Sequence, residues 1–252
     1  MELLLDGKEI VKSFGAGNEK VNVLDRVSLE VREGEFLSVM GPSGSGKSTL
    51  LYALSGMDNI DGGAVYFHGK ELSGMQDEEL SDLRRKKMGF VFQQPTLLKN
   101  LNILDNLILP VVRDNRKNVR ALTKKAKALM KQMGIEGLEE REITQVSGGQ
   151  LQRAGICRAL MGDPEIVFGD EPTGALNSKS AQEVMELFEQ IYRAGTAVFL
   201  VTHDVLVAAR TNRVLFMKDG RIVSQLTFGR EKKPDYAARA ETIMEQMSKI
   251  GI

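Results

Sequence analysis

An eight-residue loop rich in glycine and serine constrains the fold of this chain more than any other feature. It reads G-P-S-G-S-G-K-S at residues 41–48, matches the pattern G-x-x-x-x-G-K-[ST], and follows an apolar run at 36–40 with the composition of a buried strand. Glycines let a backbone wrap closely around phosphate oxygens, so that N–H groups and a helix N-terminus point at the anion. The loop therefore predicts a strand, a turn and a helix that together bind a nucleoside triphosphate.

The positions of this loop have separate predicted contacts. Lys47 is expected to reach the outer phosphates and Ser48 to reach Mg²⁺. A chance match is the alternative interpretation, and the predicted strand and helix on either side argue against it. A dinucleotide fingerprint G-x-G-x-x-G would begin at Gly44 and need a glycine where Thr49 stands, so that pattern fails. The predicted nucleotide-binding set here is Gly41, Pro42, Ser43, Gly44, Ser45, Gly46, Lys47, Ser48 and Thr49.

Composition allows a sizeable core and excludes several classes of protein. The chain has 252 residues, of which 42% are hydrophobic, so it is neither disordered nor fibrous. Its 34 basic and 34 acidic residues balance, which predicts no nucleic-acid partner and no general attraction to anionic lipid. The basic run at 84–87 closes a stretch that begins with acids at 77–79, so we expect a solvated helix end that suits the helix dipole.

Cysteine usage and hydropathy point to the cytosol. The single cysteine, Cys157, excludes an intramolecular disulfide and is expected to be a small packed residue. The N-terminus lacks the charged and apolar regions of a secretory signal. No apolar stretch approaches the roughly 18 residues that a membrane span needs. If a membrane is involved, we expect another polypeptide to span it.

The first half of the chain predicts a β region followed by a helical block. Alternating apolar and polar residues predict antiparallel strands at 2–14 and 21–32, joined by a turn containing Gly15 and Gly17. A hairpin is expected at 64–67, turning at residues 68–69, where His68 is expected to be a turn residue. Helices are predicted at 48–56, 77–87, 103–112 and 118–133, with a short strand at 89–92.

The second half predicts a parallel sheet, because strands alternate there with helices. Strands are expected at 166–169 and 197–201, helices at 178–194 and 204–211, and a closing hairpin at 213–217 and 221–226. A last helix is expected at 234–250. Its apolar residues could form a short coiled-coil seam, but two heptads favour packing on its own domain; they are Tyr236, Ala240, Ile243, Met247 and Ile250.

Two adjacent carboxylates follow the predicted strand at 166–169. Ligands bind at the carboxyl ends of strands in open α/β sheets, which is where Asp170 and Glu171 stand. Asp170 would hold Mg²⁺, directly or through water, and Glu171 would polarise an attacking water toward the terminal phosphate. Alone, such a pair of acidic residues is more often a capping or surface pair. Its interpretation as part of an ATP site therefore depends on the phosphate loop.

A third block, V-S-G-G-Q-L-Q-R at 146–153, opens another predicted helix. Its unhindered N–H groups, its hydroxyl and the positive end of the helix dipole make a second anion site, although a plain helix cap is the alternative. With the phosphate loop and the acidic pair in this order, the chain resembles the ATP-binding ATPase of ABC transporters from residue 2 to about 229. The resemblance adds Ser147, Gly148, Gly149 and Gln150 to the nucleotide-binding set.

Three smaller matches fit the same family. Gln93, after the strand at 89–92, resembles the glutamine that senses Mg²⁺ and the attacking water. His203 resembles the switch histidine that contacts the terminal phosphate, and Phe14 stands where the family places an aromatic ring under adenine. Outside this resemblance each of the three would be interpreted as a packed or capping residue. Inside it, Glu171, His203 and Gln93 are the predicted catalytic residues, and Ser48, Gln93 and Asp170 the predicted magnesium site.

The resemblance also implies a fold and an assembly. It implies an α/β P-loop NTPase of the ABC type, with a parallel-sheet core, an N-terminal antiparallel β subdomain and an inserted helical subdomain at about 95–160. The ATPase domain would cover 1–229, and 230–252 would be a C-terminal helical extension. ATP would be closed between two copies of the chain, since one copy carries only two half-sites. A transmembrane permease would be the other partner, which places the dimer on the cytoplasmic face of the membrane.

One position departs from the family pattern. Asn177 stands in the sequence G-A-L-N where an aspartate is usual, in the loop that crosses the dimer interface. Asparagine keeps the hydrogen-bonding shape and loses the charge, which changes the expected coupling between the two sites.

Within the family, the chain looks most like the group of macrolide-export, lipoprotein-release and cell-division ATPases, and in it most like the bacitracin and lantibiotic resistance branch. A cell-division or lipoprotein-release type of mechanical signaller is the alternative. A soluble ABC ATPase acting on nucleic acid or ribosomes is a further rival. Such proteins usually carry two cassettes, zinc modules or long coiled coils, which the sequence does not offer.

Overall fold

The computed structural model describes residues 2–15, 21–115, 118–229, 231 and 234–252. Their ten strands are β1 (Leu3–Phe14), β2 (Val21–Arg32), β3 (Phe36–Met40), β4 (Gly62–Phe67), β5 (Lys70–Glu71), β6 (Met88–Phe92), β7 (Ile166–Asp170), β8 (Ala197–Val201), β9 (Arg213–Lys218) and β10 (Arg221–Thr227). Their α-helices are α1 (Lys47–Leu54), α2 (Asp77–Lys87), α3 (Ile103–Val112), α4 (Val119–Gln132), α5 (Gly148–Leu160), α6 (Ser178–Arg193), α7 (Val205–Ala208) and α8 (Tyr236–Ile250). A 3₁₀ helix at Ile143–Gln145 precedes α5.

A six-stranded sheet forms the core, in the order β10-β9-β3-β8-β7-β6. Neighbouring strands run parallel from β9 to β6, and only β10 is antiparallel. All five residues of β3 and of β8 are buried, because helices cover one face of the sheet and α1 together with strands of a second sheet covers the other. The predicted parallel-sheet core of a P-loop NTPase is thus confirmed, and the strand order brings the loops after β3, β7 and β8 to one edge.

A second, antiparallel sheet has the order β2-β1-β4-β5 and confirms the predicted N-terminal β region. Its hairpin turns at His68 and Gly69 as expected. Gly63 adopts φ +80 where β4 crosses a bulge in β1, and a Cβ there would lie 2.3 Å from the carbonyl oxygens of Lys8 and Glu9. This close approach requires glycine. The predicted Gly17 lies outside the described residues.

Three helices, α3 to α5, pack together beside the sheet. Their shared cluster includes the fully buried Leu107, Met130 and Ile156, and it extends to buried residues of β7 and β8. The predicted helices at 77–87, 103–112 and 118–133 are confirmed within one residue. Because this cluster continues into the core sheet, the boundary of a helical subdomain at about 95–160 stays a prediction.

The helix predicted at 204–211 is wrong in its length. Only α7, four residues long, forms, and Thr211 is not helical. The Thr211 hydroxyl donates to the carbonyl of Ala208, 2.8 Å away, and lies 3.0 Å from the hydroxyl of Ser38 on β3. These contacts turn the chain directly into β9, so tertiary contacts override the helical pattern.

The last helix, α8, packs on its own chain as predicted. Ala240 and Ile243 are buried against Ala208 of α7 and against Val214 and Phe216 of β9. The buried Arg239 adds hydrogen bonds from its guanidinium to the carbonyls of Thr211 and Gly229. The apolar stripe of α8 therefore faces the chain's own core, and the division between 229 and 230 stays a prediction.

Candidate active site

The loop at 41–46 leaves β3 and returns as helix α1. At Gly41 a Cβ would lie 2.1 Å from the carbonyl oxygen of Met217, so only glycine fits beside β9. Gly46 adopts φ +97 immediately before the first helical residue, Lys47, a conformation that glycine reaches without steric cost. The sequence therefore folds locally into a tight turn that ends at a helix N-terminus, the geometry of an anion site.

Lys47 lies across this turn. Its ammonium donates to the carbonyl oxygens of Gly41 and Pro42, both 2.9 Å away. Burial lowers the pKa of Lys47, while the nearby carboxylates of Glu171 and Asp170 act in the opposite direction. The loop thus holds a desolvated cation at its own centre.

Asp170 ends β7 and receives two hydrogen bonds from α1. The Ser48 hydroxyl donates to Oδ1 and the Tyr52 hydroxyl donates to Oδ2, each over 2.7 Å. Burial and the hydrogen bond to Asp170 raise the pKa of Tyr52 to about 12, so its phenol stays a donor at neutral pH. No motif in the sequence singles out Tyr52, and its place one helical turn after Ser48 is the signal that could have revealed it.

Glu171 follows Asp170 in a left-handed backbone conformation, with φ +48. Its N–H donates to the carbonyl of Val201 at the end of β8, over 2.9 Å. Its carboxylate accepts a hydrogen bond from Nδ1 of His203, 2.8 Å away. A non-glycine residue in this conformation is held there by its surroundings, and such strain concentrates at functional sites.

A cleft of about 490 Å³ gathers half of the predicted site residues. Phe14 stands at its side, 49% exposed, with the ammonium of Lys12 5.2 Å from the ring centroid. Val23 also lines the cleft and was not predicted. The predicted residues that line it are Phe14, Ser43, Gly44, Gly46, Lys47, Ser48, Thr49, Glu171 and His203.

Gln93 and the block at 147–150 do not line this cleft. Gln93 follows the end of β6, and a Cβ on Gly174 would lie 2.9 Å from its Nε2. Ser147 caps α5, because its hydroxyl accepts a hydrogen bond from the N–H of Gln150 at a distance of 3.3 Å. In return, the side-chain oxygen of Gln150 accepts a hydrogen bond from the N–H of Ser147 at a distance of 2.8 Å. The exposed Ser147 and Gly148 therefore present a helix N-terminus outside the cleft.

Asn177 acts as a helix cap. Its Oδ1 accepts from the N–H of Ser180 at the start of α6, 2.9 Å away. Asparagine and aspartate both fill this capping role, so the cap itself does not need the charge that the family pattern has here.

Gln152 is a second residue that the sequence analysis missed. Its Nε2 donates to the carbonyl of Phe92, over 2.9 Å, and to that of Pro172, over 2.7 Å. The side chain is 1% exposed. One amide on α5 thus joins the residue before Gln93 to the residue after Glu171, and the only sequence signal was a second glutamine two positions after Gln150.

The oxygen donors beside the cleft suit a hard divalent cation. Ser48 supplies a hydroxyl and Asp170 a carboxylate, the donor types that Mg²⁺ takes together with substrate phosphates. Among the residues that the structure describes, no group of three or more His, Cys, Asp or Glu side chains could hold a metal alone. The described helices are also too short or too polar to cross a membrane.

Comparison with known proteins gives one consistent result. Residues 24–174 match the family described as ABC transporter. The macrolide export ATP-binding/permease protein MacB of Mannheimia succiniciproducens is 39% identical over 87% of this chain, which spans only 34% of that protein. The bacitracin export ATP-binding protein BceA of Halalkalibacterium halodurans is 38% identical, over 92% of both chains.

Solved structures are similar across nearly the whole chain. The dimeric structure of MJ0796, described as a bacterial ABC transporter cassette, shares 37% identity with a TM-score of 0.84, over 90% of this chain and 99% of its own. A dimeric post-hydrolysis state of the MJ0796 cassette bound to ADP and phosphate has the same TM-score and 36% identity.

Proposed function

Because the chain belongs to the ABC transporter ATPase family, we propose that it is an ATP-binding subunit that hydrolyses ATP as a dimer and drives a separately encoded permease. One observation carries the proposal. The phosphate loop, Glu171 and His203 line one cleft, whereas the helix N-terminus at 147–150 lies outside it. In this proposal residues 1–229 form the ATPase and 230–252 a helical extension.

In this proposal each side of the cleft has its own task. Phe14 offers its exposed ring to adenine, and the loop N–H groups with Lys47 bind the phosphates. Mg²⁺, which Ser48 and Asp170 would hold with Gln93 nearby, would neutralise charge on the phosphate oxygens.

The pair of Glu171 and His203 carries the chemistry. Glu171 accepts a hydrogen bond from the attacking water and aligns it with the terminal phosphate. As the water oxygen bonds to the terminal phosphorus and the bond to the ADP oxygen breaks, Glu171 acts as the base that takes the proton of the water. The hydrogen bond from Nδ1 of His203 fixes the orientation of that carboxylate. In the imidazolium form Nε2 also carries a proton, which it donates to an oxygen of the terminal phosphate.

The helix N-terminus at 147–150 supplies the other half of the site. Its exposed N–H groups and the Ser147 hydroxyl suit the terminal phosphate of an ATP bound to a second copy. The dimeric MJ0796 cassette supports this arrangement by similarity. ATP would then close the dimer, and hydrolysis would release it.

A groove of about 380 Å³ between α2, β6 and α3 is proposed as the permease site. Three large apolar side chains in its lining, Met57, Leu98 and Leu109, are each more than 40% exposed. Arg84, Arg85 and Arg158 also line the groove. Arg85 is paired with Asp82 and Asp114, so the preference for an acidic partner comes from Arg84 and Arg158. An amphipathic cytoplasmic helix of the permease fits this mixture, and it would hold the dimer on the cytoplasmic face of the membrane.

The similarity to BceA, which extends over 92% of both chains, supports antimicrobial peptides of the bacitracin or lantibiotic class as the compounds handled. The transported compound contacts the permease rather than this chain, so the proposal covers the class only. The MacB proteins are longer, and the chain spans about a third of their length.

The Glu171→Gln variant tests the proposed function. It keeps the shape of the side chain and removes its ability to take a proton, so ATP turnover should fall at least about 100-fold while ATP still binds. Light scattering should show the variant doubling its mass on addition of ATP. The exposed Glu245→Gln on α8 is the matched control and should turn over ATP normally. Unimpaired hydrolysis by Glu171→Gln would overturn the assignment of the base.

A further inference from the structure

Helix α1 contacts the carboxylate of Asp170 with two hydroxyl groups. Ser48 and Tyr52 are four residues apart and therefore lie on the same face of the helix. Each donates to a different oxygen of Asp170, and both distances are 2.7 Å. The carboxylate is thus fixed at both oxygens by one rigid element.

The two hydroxyls differ in what surrounds them. Ser48 lines the nucleotide cleft, whereas Tyr52 does not and packs with its ring partly buried against the core cluster of β3 and β8. The phenol therefore reaches Asp170 from outside the lining of the cleft. Its hydrogen bond restricts rotation of the carboxylate plane without occupying space in the cleft.

Rotation of that plane matters for the oxygen donors beside the phosphates. Ser48 donates its hydroxyl proton to Oδ1 of Asp170, which leaves the oxygen lone pairs of Ser48 directed elsewhere. If the carboxylate rotates, the direction of those lone pairs changes with it. Hydrogen-bond partners behind a metal ligand commonly alter metal affinity 10- to 100-fold when they are removed.

We propose that Tyr52 is a positioning residue, whose hydroxyl orients the Asp170 carboxylate and thereby sets the affinity of the site for the divalent cation that accompanies ATP. The inference rests on the proposed function, because it assumes that Ser48 and Asp170 face a cation bound with nucleotide. A purely structural role is the competing explanation, in which the ring packs in the core and the hydroxyl merely satisfies a buried acceptor.

The Tyr52→Phe variant separates the two explanations, since it keeps the ring and removes one oxygen. ATP binding to the full chain is measured by calorimetry against a series of free Mg²⁺ concentrations, and again in EDTA. The expected result is a rise of about tenfold in the half-saturating Mg²⁺ concentration. The affinity for ATP in EDTA should stay within about twofold of that of the unmodified chain.

Two further measurements complete the design. Tyr66→Phe removes a phenol from β4, in the other sheet, and should leave the Mg²⁺ dependence unchanged. Mn²⁺ bound with ATP gives an electron paramagnetic resonance spectrum, which should change in Tyr52→Phe and not in Tyr66→Phe.

Two outcomes would overturn the proposal. One is an unchanged Mg²⁺ dependence in Tyr52→Phe, with or without a change in urea unfolding. The other is an equal loss of ATP affinity with Mg²⁺ and in EDTA, which would show a structural role. Failure of the unmodified chain to bind ATP with Mg²⁺ would instead count against the proposed function.

Discussion

Replacing Gln152 by methionine tests how the two loops of the site are held together. Methionine has similar length and volume, so the packing of α5 is kept and little cavity is created. The substitution removes one amide, which donates to the carbonyl of Phe92 at 2.9 Å and to the carbonyl of Pro172 at 2.7 Å. The contact with Pro172 is buried and the contact with Phe92 is partly buried, so water does not readily replace the amide at Pro172.

The expected loss of stability follows from these two hydrogen bonds. Leaving the buried carbonyl of Pro172 without its donor costs about 1–3 kcal/mol, and the partly buried hydrogen bond to Phe92 contributes about 0.5–1.5 kcal/mol, so the expected loss is about 1.5–4.5 kcal/mol. The free energy of unfolding of a typical domain is about 5–15 kcal/mol, so the expected loss is a large fraction of the total stability. Because Phe92 precedes Gln93 and Pro172 follows Glu171, we also expect slower ATP turnover at temperatures where the variant is still folded.

Urea unfolding followed by circular dichroism measures this loss, since the chain has no tryptophan for fluorescence. Gln182→Met is the matched control, because the amide of Gln182 donates to Glu186 on the exposed side of α6. That control should change the free energy of unfolding by less than about 0.5 kcal/mol. If Gln152→Met also falls within about 0.5 kcal/mol of the unmodified chain, the two hydrogen bonds do not hold the loops.

Three other predictions follow from single side chains. Lys47→Ala should weaken ATP binding about 10- to 100-fold in calorimetry, because it removes the cation at the centre of the loop, and equal affinity would contradict this assignment. Burial raises the pKa of the Cys157 thiol to about 12, so iodoacetamide at pH 8 should label only the urea-unfolded chain, and rapid labelling of the folded chain would refute its burial. Arg239→Met should lower the free energy of unfolding by about 2–4 kcal/mol, since it leaves buried carbonyls without their donor. The control is Arg113→Met, which removes an exposed ion pair and should not change the free energy of unfolding measurably.

Local patterns in the sequence were sufficient for most of the elements. The alternation of β1 and β2, the apolar runs of β3, β7 and β8, and the charge distribution of α2 each predicted what the structure contains. They succeed because the period of apolar residues directly reflects which faces are buried. The helix predicted at 204–211 was too long, because a contact distant in the chain decides where it ends. The hydroxyl of Thr211 is hydrogen-bonded to that of Ser38 on β3, which is far away in the sequence.

The sequence by itself determined the phosphate loop, the acidic pair and the family, because the residues of each motif are neighbours in the chain. Only the tertiary structure decided which motifs meet. It placed Tyr52 on Asp170 across 118 residues and His203 on Glu171 across 32, and it left the helix N-terminus at 147–150 outside the cleft. The physical reason is strand order: β8 lies between β3 and β7, so residues distant in the chain converge at one edge of the sheet. No local pattern encodes that order.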